Sequence, residues 1–339
     1  NGEPMAISSK ASGVVIDGRT GTNTLVVQGT TGREIFEIYS DRVVITDPIT
    51  HFSLTAKNIQ VANLDGLGGA DRAIFYASAD SDVFTFHADT LAASLRSGTN
   101  TFTMSSMADV EAQATSSNAT AVFYDSADRD IFSASATSAT LTPYSGGGYS
   151  AKATGFRNVQ AYSTAGGSDL AKLQGTSGGS ADVLVADPGY TSLTDNSSFA
   201  FQANGFREVL AYGSGSSDAA TFYDSDSSLP DTFTADATTG EALMLWGTRA
   251  YTKAYLFNNV VAVARSGNSD TAKLSDSAQA DTFVADSTGG TLSGTGYSYT
   301  ATGFRNLYAY ASSSDGKTDT AILNDSAGSD VFVGTSTYA

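Results

Sequence analysis

Apolar and polar residues alternate along most of this chain with a period of two. Ala272 and Leu274 of "DTAKLSD" fall on one side, while the polar residues between them fall on the other. Successive side chains of a β-strand point to opposite faces, so this alternation predicts short strands with one buried face. No stretch shows the period of an amphipathic helix. We therefore expect an all-β chain.

Two short phrases recur at a fixed interval. The first, Asp-x-Ala-x-(Leu/Phe), begins at positions 48 to 52 residues apart: Asn23, Asp71, Thr120, Asp169, Asp218, Asp270 and Asp319. The second, Asp-x-Phe-x-(Ala/Val/Phe), trails it by 10 to 13 residues and begins at Glu34, Asp82, Asp130, Asp182, Asp231, Asp281 and Asp330. A constant interval of this length is the signature of a repeat protein.

Two further landmarks keep the same period. One is the "NVQAY"-like segment with Val159, Val209, Val260 and Leu307, and the other is a strand around Leu141, Leu193, Leu243 and Leu292. An aromatic residue that we assign to the core precedes the next unit, namely Tyr149, Phe201, Tyr251 or Tyr299. Seven units of about 49 residues thus form one repeat domain over residues 12–339, with residues 1–11 as an N-terminal extension.

Two architectures agree with four strands in each of seven units. A parallel β-solenoid uses short strands, tight Gly/Asp/Ser turns and small inward residues, and it would divide each unit into two coils. A seven-bladed β-propeller is the alternative, although its blades usually contain longer antiparallel strands. The inward Ala of the first phrase suits a narrow interior. We therefore predict the solenoid, with every second residue of "NLYAY" and "DTAIL" pointing inward, including Leu307, Ala309, Ala321 and Leu323.

The two ends of the chain depart from the repeat pattern in opposite ways. The last unit stops before its fourth strand, whereas "PMAIS" at the N-terminus is an apolar piece outside the units. We expect Met5, Ala6 and Ile7 to form an assembly strand, which either closes the last unit or is donated to a neighbouring molecule. Donation would cover an exposed sheet edge by strand complementation and lead to self-association.

The amino-acid composition of the chain limits the kinds of partner that it is expected to bind. The chain has 35 acidic and 18 basic residues, a formal net charge of -17 and no cysteine. A phosphate backbone would be repelled, which excludes nucleic acid as a favoured partner. No apolar run approaches the 18 residues of a membrane span, and we expect any secretion signal to have been removed or to lie outside this chain.

The segments "SGVVIDGRTGTNTLVVQGTTGREIFEIYSDRVVI" and "NIQVANLDGLGGADRAIFYASADSDVF" resemble the tandem repeats of very large secreted bacterial proteins, particularly of planctomycetes. Those repeats are similar to the calcium-binding RTX (hemolysin-type) array. The resemblance implies a secreted or surface-attached β-solenoid that allows Ca²⁺ binding. We expect no required cofactor. "GLGGAD", ending at Asp71, comes closest to the RTX turn, while other units replace its glycines with Ser or Asn.

The recurring aspartates have two interpretations. As metal ligands, Asp71, Asp169, Asp218, Asp270 and Asp319 would supply carboxylates on neighbouring layers. As structural residues, each would cap a turn by accepting hydrogen bonds from backbone N–H groups. The positions held by Thr120 and Asn23 keep the turn role but lose strong ligation, which favours the structural interpretation.

Aromatic residues on the outer face are the candidates for carbohydrate or surface contact. Tyr162, Tyr212 and Tyr310 alternate with inward alanines, so their rings should face outward. They either stack on sugar rings or form a ladder that stabilises the sheet. The least regular unit adds Trp246, with Glu241, Arg249 and Lys253 nearby.

Catalytic chemistry has few candidates. The chain has two histidines, His51 and His87, as candidate acid–base residues for catalysis, and neither lies in a recognisable motif. We expect a non-enzymatic extracellular or cell-surface structural protein, such as an adhesin stalk, a matrix component or a filament subunit. The alternatives are a carbohydrate-binding or polysaccharide-degrading β-helix and a calcium-binding repeat module.

Overall fold

The computed structural model describes residues 12–327, except for 117, 178–179, 216, 227, 249, 266–268 and 312–316. These residues form 32 β-strands and no helix. The first sixteen strands are β1 Val14–Asp17, β2 Thr24–Gln28, β3 Ile35–Tyr39, β4 Arg42–Thr46, β5 Ser53–Lys57, β6 Val61–Asp65, β7 Arg72–Ala77, β8 Val83–His87, β9 Ala92–Ser97, β10 Asn100–Ser105, β11 Asp109–Ala114, β12 Thr120–Tyr124, β13 Asp130–Ser135, β14 Ser138–Pro143, β15 Ser150–Thr154 and β16 Asn158–Tyr162. The remaining sixteen are β17 Leu170–Gln174, β18 Val183–Asp187, β19 Tyr190–Thr194, β20 Ala200–Asn204, β21 Glu208–Tyr212, β22 Ala219–Tyr223, β23 Thr232–Asp236, β24 Glu241–Trp246, β25 Ala250–Tyr255, β26 Asn259–Val263, β27 Thr271–Ser275, β28 Thr282–Asp286, β29 Gly289–Gly294, β30 Tyr297–Thr302, β31 Asn306–Tyr310 and β32 Thr320–Leu323.

Each complete repeat contributes five strands rather than four. In the repeat β11–β15, β12 and β13 carry the first and second phrases, and β14 is the predicted fourth strand. The fifth strand, β15, follows the aromatic residue Tyr149. That aromatic residue therefore introduces a strand of its own, which the sequence pattern had not shown.

The chain divides into two compact units. The first contains Asn1–Gln174 and Asn196–Phe206 and has two sheets. Sheet A runs in the order β1-β5-β4-β3-β7-β11-β15-β14-β13-β17, and sheet B in the order β2-β6-β10-β9-β8-β12-β16-β20. Neighbours from successive coils pair in parallel, for example β7 with β11 and β12 with β16.

The second compact unit contains Gly175–Asp195 and Arg207–Ala339. It has the same organisation, with sheet C in the order β21-β25-β24-β23-β27-β31 and sheet D in the order β19-β18-β22-β26-β30-β29-β28-β32. Strands β22 and β26 pair in parallel, as do β27 and β31. The prediction of an all-β parallel β-solenoid is confirmed, and the alternative of a β-propeller is wrong.

One strand of each repeat runs against its neighbours. Strands β13, β14 and β15 form an antiparallel meander within sheet A, and β8, β9 and β10 form one within sheet B. Only residues 136–137 separate β13 from β14, and a connection this short joins strands only as an antiparallel hairpin. The meander moves from sheet A (β3–β5) to sheet B (β8–β10) and back to sheet A (β13–β15) in successive repeats.

The core lies between the two sheets and contains the residues that the alternation places inward. In the first compact unit, the rings of Phe75 and Phe132 in sheet A contact those of Phe84 and Phe123 in sheet B, with centroids 5.4 and 5.9 Å apart for the pairs Phe75–Phe84 and Phe123–Phe132. All four side chains are fully buried. Tilted aromatic contacts of this kind add to the stabilisation that comes from burial of apolar area.

The last described strands differ from the expectation. Leu307 is only half buried, Ala309 and Ala321 are exposed, and Leu323 is 48% exposed. In sheets C and D, β31 and β32 have a described neighbour on one side only. Within the described part of the chain, no further coil covers their inward-type residues in the way that the equivalent residues elsewhere are covered. The predicted assembly strand with Met5, Ala6 and Ile7 lies outside the described residues.

Candidate functional site

The recurring aspartates form two rows at the turns of the solenoid. Each first-phrase aspartate accepts a hydrogen bond at Oδ1 from the backbone N–H of the second-phrase residue of the preceding repeat. The donor and acceptor pairs are Glu34–Asp71 and Asp130–Asp169 at 2.7 Å, Asp182–Asp218 at 2.9 Å, Asp231–Asp270 at 2.8 Å and Asp281–Asp319 at 3.0 Å. One carboxylate thus links two repeats at every such boundary.

The exception shows what the carboxylate does. Thr120 occupies the first-phrase position in its repeat, and the N–H of Asp82 there donates to the carbonyl of Ala79 instead, at 3.0 Å. A buried N–H must find an acceptor, because leaving it unpaired costs free energy. The short local bond replaces the bond between repeats, so that boundary loses one link.

The second-phrase residues cap the turn that precedes them. Asp130 Oδ2 accepts hydrogen bonds from the N–H and hydroxyl of Ser126 at 2.7 and 2.9 Å, and Asp231 Oδ2 accepts the same pair from Ser225 at 2.6 and 2.7 Å. Asp82 binds two successive N–H groups in the same way. Turn capping by a carboxylate is what the structural interpretation requires.

Burial shifts the acidity of several of these carboxyls. It raises the pKa of Asp169 and of Asp182 to about 6 each, because desolvation penalises the charged form and neighbouring carboxylates repel it. The pKa values of Asp71 and Asp270 are raised for the same reason, with Glu34 and Asp231 as the charged neighbours. The rows therefore hold negative charges that the fold keeps close together.

Among the described residues, one group of carboxylates converges closely enough for a cation. Ligand atoms of Asp276, Asp281 and Asp319 lie within 4.8 Å of one another. Elsewhere, Oδ2 of Asp71 and of Asp270 is buried without a hydrogen-bond partner among the described residues. Hard oxygen donors of this kind suit Ca²⁺. The five predicted ligands do not form one centre, since each belongs to a different boundary.

The glycine-rich turn before Asp71 has the expected conformation. Gly68 and Gly69 have φ values of +91° and +126°, a region that favours glycine. A Cβ at Gly69 would lie 2.0 Å from the carbonyl oxygen of Gly32, so the turn packs closely against the turn of the preceding repeat. The turn before Asp169 also has two glycines with positive φ, Gly166 at +124° and Gly167 at +82°, so both turns require glycine for their backbone conformation.

The predicted outer tyrosines stack on other tyrosines of the same sheet face. Tyr162 lies on Tyr124 with ring centroids 5.1 Å apart, and Tyr212 lies on Tyr255 at 5.0 Å. Tyr310 is 49% exposed beside Tyr308. The ring faces that meet in each stack are covered, so this arrangement stabilises the sheet surface and leaves a ligand only the ring edges and the outer faces of the end rings.

Trp246 is half buried and donates its indole N–H to the carbonyl of Tyr223 at 2.8 Å. Nearby, Lys253 pairs with Glu241 at 2.8 Å, which raises the pKa of Lys253, and Arg249 lies outside the described residues. The indole therefore has a structural contact of its own. His51 is exposed in a turn with a φ of +59°.

Sequence reasoning missed part of the aromatic ladder. Tyr39 stacks on Tyr76 at 4.4 Å, and His87 stacks on Tyr124 at 4.4 Å with nearly parallel rings. The signal was present in "IFYAS", "VFYDS" and "TFYDS", where a tyrosine follows the buried phenylalanine. These tyrosines occupy the same place at the strand end as Tyr162 in "NVQAY".

The described residues contain no helix long and apolar enough to cross a membrane. Comparison with known proteins gives the chain no family. No family model matches the sequence, and neither a curated protein nor a solved structure is significantly similar to it.

Proposed function

We propose that this chain is a non-enzymatic extracellular structural protein that serves as a stalk, a matrix component or a filament subunit. The observation that supports this most directly is the repeated bond between a second-phrase N–H and the next first-phrase aspartate, found at five described boundaries. A fold in which each repeat is fastened to the next in the same way suits a spacer or scaffold.

The contacts that the carboxylates and His87 make within the fold support the same proposal. The carboxylates of both rows accept backbone hydrogen bonds, which commits them to turns rather than to proton transfer. His87, the one histidine on a strand, stacks on Tyr124. A general acid or base needs to be within hydrogen-bond reach of a substrate, and this geometry favours a structural role for both groups.

Surface location is the first property to test. An antibody raised against the purified chain should label intact cells of the source organism in immunogold electron microscopy, and proteinase K applied to intact cells should abolish the signal. A cytoplasmic protein labelled in parallel should stay protected. Label confined to the cytoplasm would contradict an extracellular role.

Assembly through the N-terminal extension forms part of the proposal. The exposed inward-type residues of β31 and β32, such as Leu323, provide a surface that a further strand would cover. Removing residues 1–10 should abolish concentration-dependent association in sedimentation velocity, while the melting temperature of the monomer stays within a few degrees. Unchanged association would rule out donation from this segment.

A second candidate function is that of a calcium-stabilised module. The convergence of Asp276, Asp281 and Asp319 favours it, together with the unpartnered Oδ1 of Asp281, which is buried. Bound Ca²⁺ would neutralise their mutual repulsion there. Millimolar CaCl₂ should raise the melting temperature of the chain, and Asp319→Asn should remove the increase, whereas Asp89→Asn should not. No response to Ca²⁺ would reject this candidate.

A further inference from the structure

One aromatic stack in the first compact unit ends with an uncovered ring face. Along sheet B, the rings of Tyr162, Tyr124 and His87 follow one another on β16, β12 and β8. The residue paired with His87 on the next strand, β9, is Ala92. A methyl group is too small to cover an imidazole, so the second face of His87 stays open to the outside of the sheet.

In two other places a cation covers the face of an outer tyrosine ring. On sheet A, the guanidinium of Arg42 lies 3.8 Å from the centre of the Tyr39 ring, at the end of the Tyr76–Tyr39 stack. In the second compact unit, Arg265 covers Tyr223 at 3.6 Å. A cation over a ring face satisfies the negative charge of the π system. The His87 end has alanine where the Tyr39 end has arginine.

The open face borders a shallow groove of about 610 Å³ on the outside of sheet B. Its floor consists of small residues on β9 and β10, namely Ala92, Ser94, Thr103 and Ser105. Gln28 and Asp65, on β2 and β6, stand on the far side. His87 and Asp65 are three strands apart, or about 14 Å at the usual strand spacing.

The walls of this groove combine two kinds of surface. His87 supplies an aromatic face, and Asn63, Gln28 and Asp65 supply amide and carboxylate groups opposite it. Asp65 Oδ1 already accepts the N–H of Leu67, which fixes the orientation of the carboxylate and contributes to its lowered pKa. The carboxylate is therefore charged at neutral pH and accepts hydrogen bonds from a ligand.

We propose that this groove binds a neutral oligosaccharide. The C–H face of a pyranose is weakly positive and packs on the negative face of an aromatic ring, while its hydroxyls bond to amides and carboxylates. Acidic sugars are disfavoured by Asp65 and by the net charge of -17. An added peptide strand does not fit over the floor of the groove, because β6, β10, β9 and β8 are each paired on both sides. Among the described strands that line the groove, β2 alone has an open edge, and a strand added there would lie beside the groove.

The test uses the whole chain and ligand-observed saturation-transfer NMR. The probes are β-1,4-linked hexasaccharides of glucose, mannose and xylose, with oligogalacturonate as the charged comparison. We expect at least one neutral hexasaccharide to bind with a dissociation constant near or below about 1 mM. Oligogalacturonate should bind more weakly than that probe. Absence of binding by all three neutral probes would overturn the proposal.

Variants locate the site. Ala92→Arg places a guanidinium over His87, as Arg42 lies over Tyr39, and should weaken binding at least tenfold; His87→Ala should do the same by removing the ring. Tyr310→Ala leaves the groove intact and should bind normally. Circular dichroism checks folding, and Ser94→Arg, which fills the floor of the groove, replaces Ala92→Arg if that variant misfolds. Normal binding by folded variants with the groove filled would overturn the assignment.

Discussion

The backbone N–H of Asp182 donates a hydrogen bond of 2.9 Å to Oδ1 of Asp218, although 36 residues separate the two in sequence. Oδ2 of the same Asp218 accepts the N–H groups of Ser214 and Gly215, each at 2.7 Å. One buried carboxylate therefore holds its own turn and the start of a strand in the preceding repeat. Asp71 and Asp270 make the same bond to the preceding repeat while their Oδ2 atoms have no hydrogen-bond partner among the described residues, so the bond between repeats is what the position has in common.

Replacing Asp218 with alanine should destabilise the protein strongly. Three backbone N–H groups would lose their acceptor, and each buried donor left unpaired costs about 1–3 kcal/mol. Allowing for partial access of water, we expect a loss of at least about 2 kcal/mol in the free energy of unfolding, measured by urea denaturation. The exposed Asp89→Ala should change it by less than about 0.5 kcal/mol. Equal effects would contradict the capping role.

Stability should increase as the pH falls from neutral toward 5. Asp169 and Asp182 have pKa values of about 6 in the folded protein and an ordinary value of 3.8, so the folded state binds protons more tightly than the unfolded state between those limits. Deprotonation through pH 6 therefore costs stability. The melting temperature should be higher at pH 5 than at pH 7.5.

The matched variant for this pH dependence is Asp182→Asn, which has a similar shape and no charge. It should reduce the difference in melting temperature between pH 5 and pH 7.5 and leave the part that Asp169 contributes. The exposed Asp47 and Asp286 have lowered pKa values and act in the opposite direction, but only as the pH falls through and below their ordinary value of 3.8. A melting temperature that rises steadily from pH 5 to pH 7.5 would contradict the assigned shifts.

Two adjacent glycines allow the cost of backbone strain to be measured separately from the cost of a steric clash. Both Gly68 and Gly69 have positive φ, but a Cβ at Gly68 meets nothing within 4 Å, whereas one at Gly69 would lie 2.0 Å from the carbonyl oxygen of Gly32. Gly68→Ala should cost about 1–3 kcal/mol of backbone strain. Gly69→Ala should cost at least about 2 kcal/mol more in chemical denaturation, because the turn of the neighbouring repeat must move. Similar values for the two variants would show that the turns do not pack as described.

Truncation of a leucine at the same repeat position should cost more stability in the interior than at the last described coil. Leu274 is fully buried, and its truncation to alanine should cost about 2–5 kcal/mol. Leu323 occupies the corresponding position and is 48% exposed, so Leu323→Ala should cost less than about 1 kcal/mol in the monomer. A large loss at Leu323 would mean that another part of the chain covers it.

Local alternation was sufficient to predict the fold class. The pattern of "DTAKLSD" placed Ala272 and Leu274 inward, and both are fully buried. The period of the phrases predicted stacked repeats. The direction of the fourth strand did not follow from the same reasoning, because inward and outward residues alternate identically in a parallel and an antiparallel strand. The short connection between β13 and β14 contained that information.

The aspartates were recognisable from sequence, but their partners were not. Asp169 binds the N–H of Asp130, 39 residues away, and such pairing depends on which coils become neighbours. The open ring of His87 was equally hidden, since it depends on the register between β8 and β9 that places Ala92 beside it. Both features arise from pairing across the sheet, whereas the sequence pattern reports only one strand at a time.

The change of sheet by successive meanders has a consequence for how such a protein grows. Within the first compact unit, a surface feature placed on β4 appears on sheet A, and the equivalent feature of the next repeat, on β9, appears on sheet B. Copying or losing a single repeat would transfer every later feature to the opposite side. Only the insertion of two repeats at a time would extend the protein while keeping every surface feature on its original sheet.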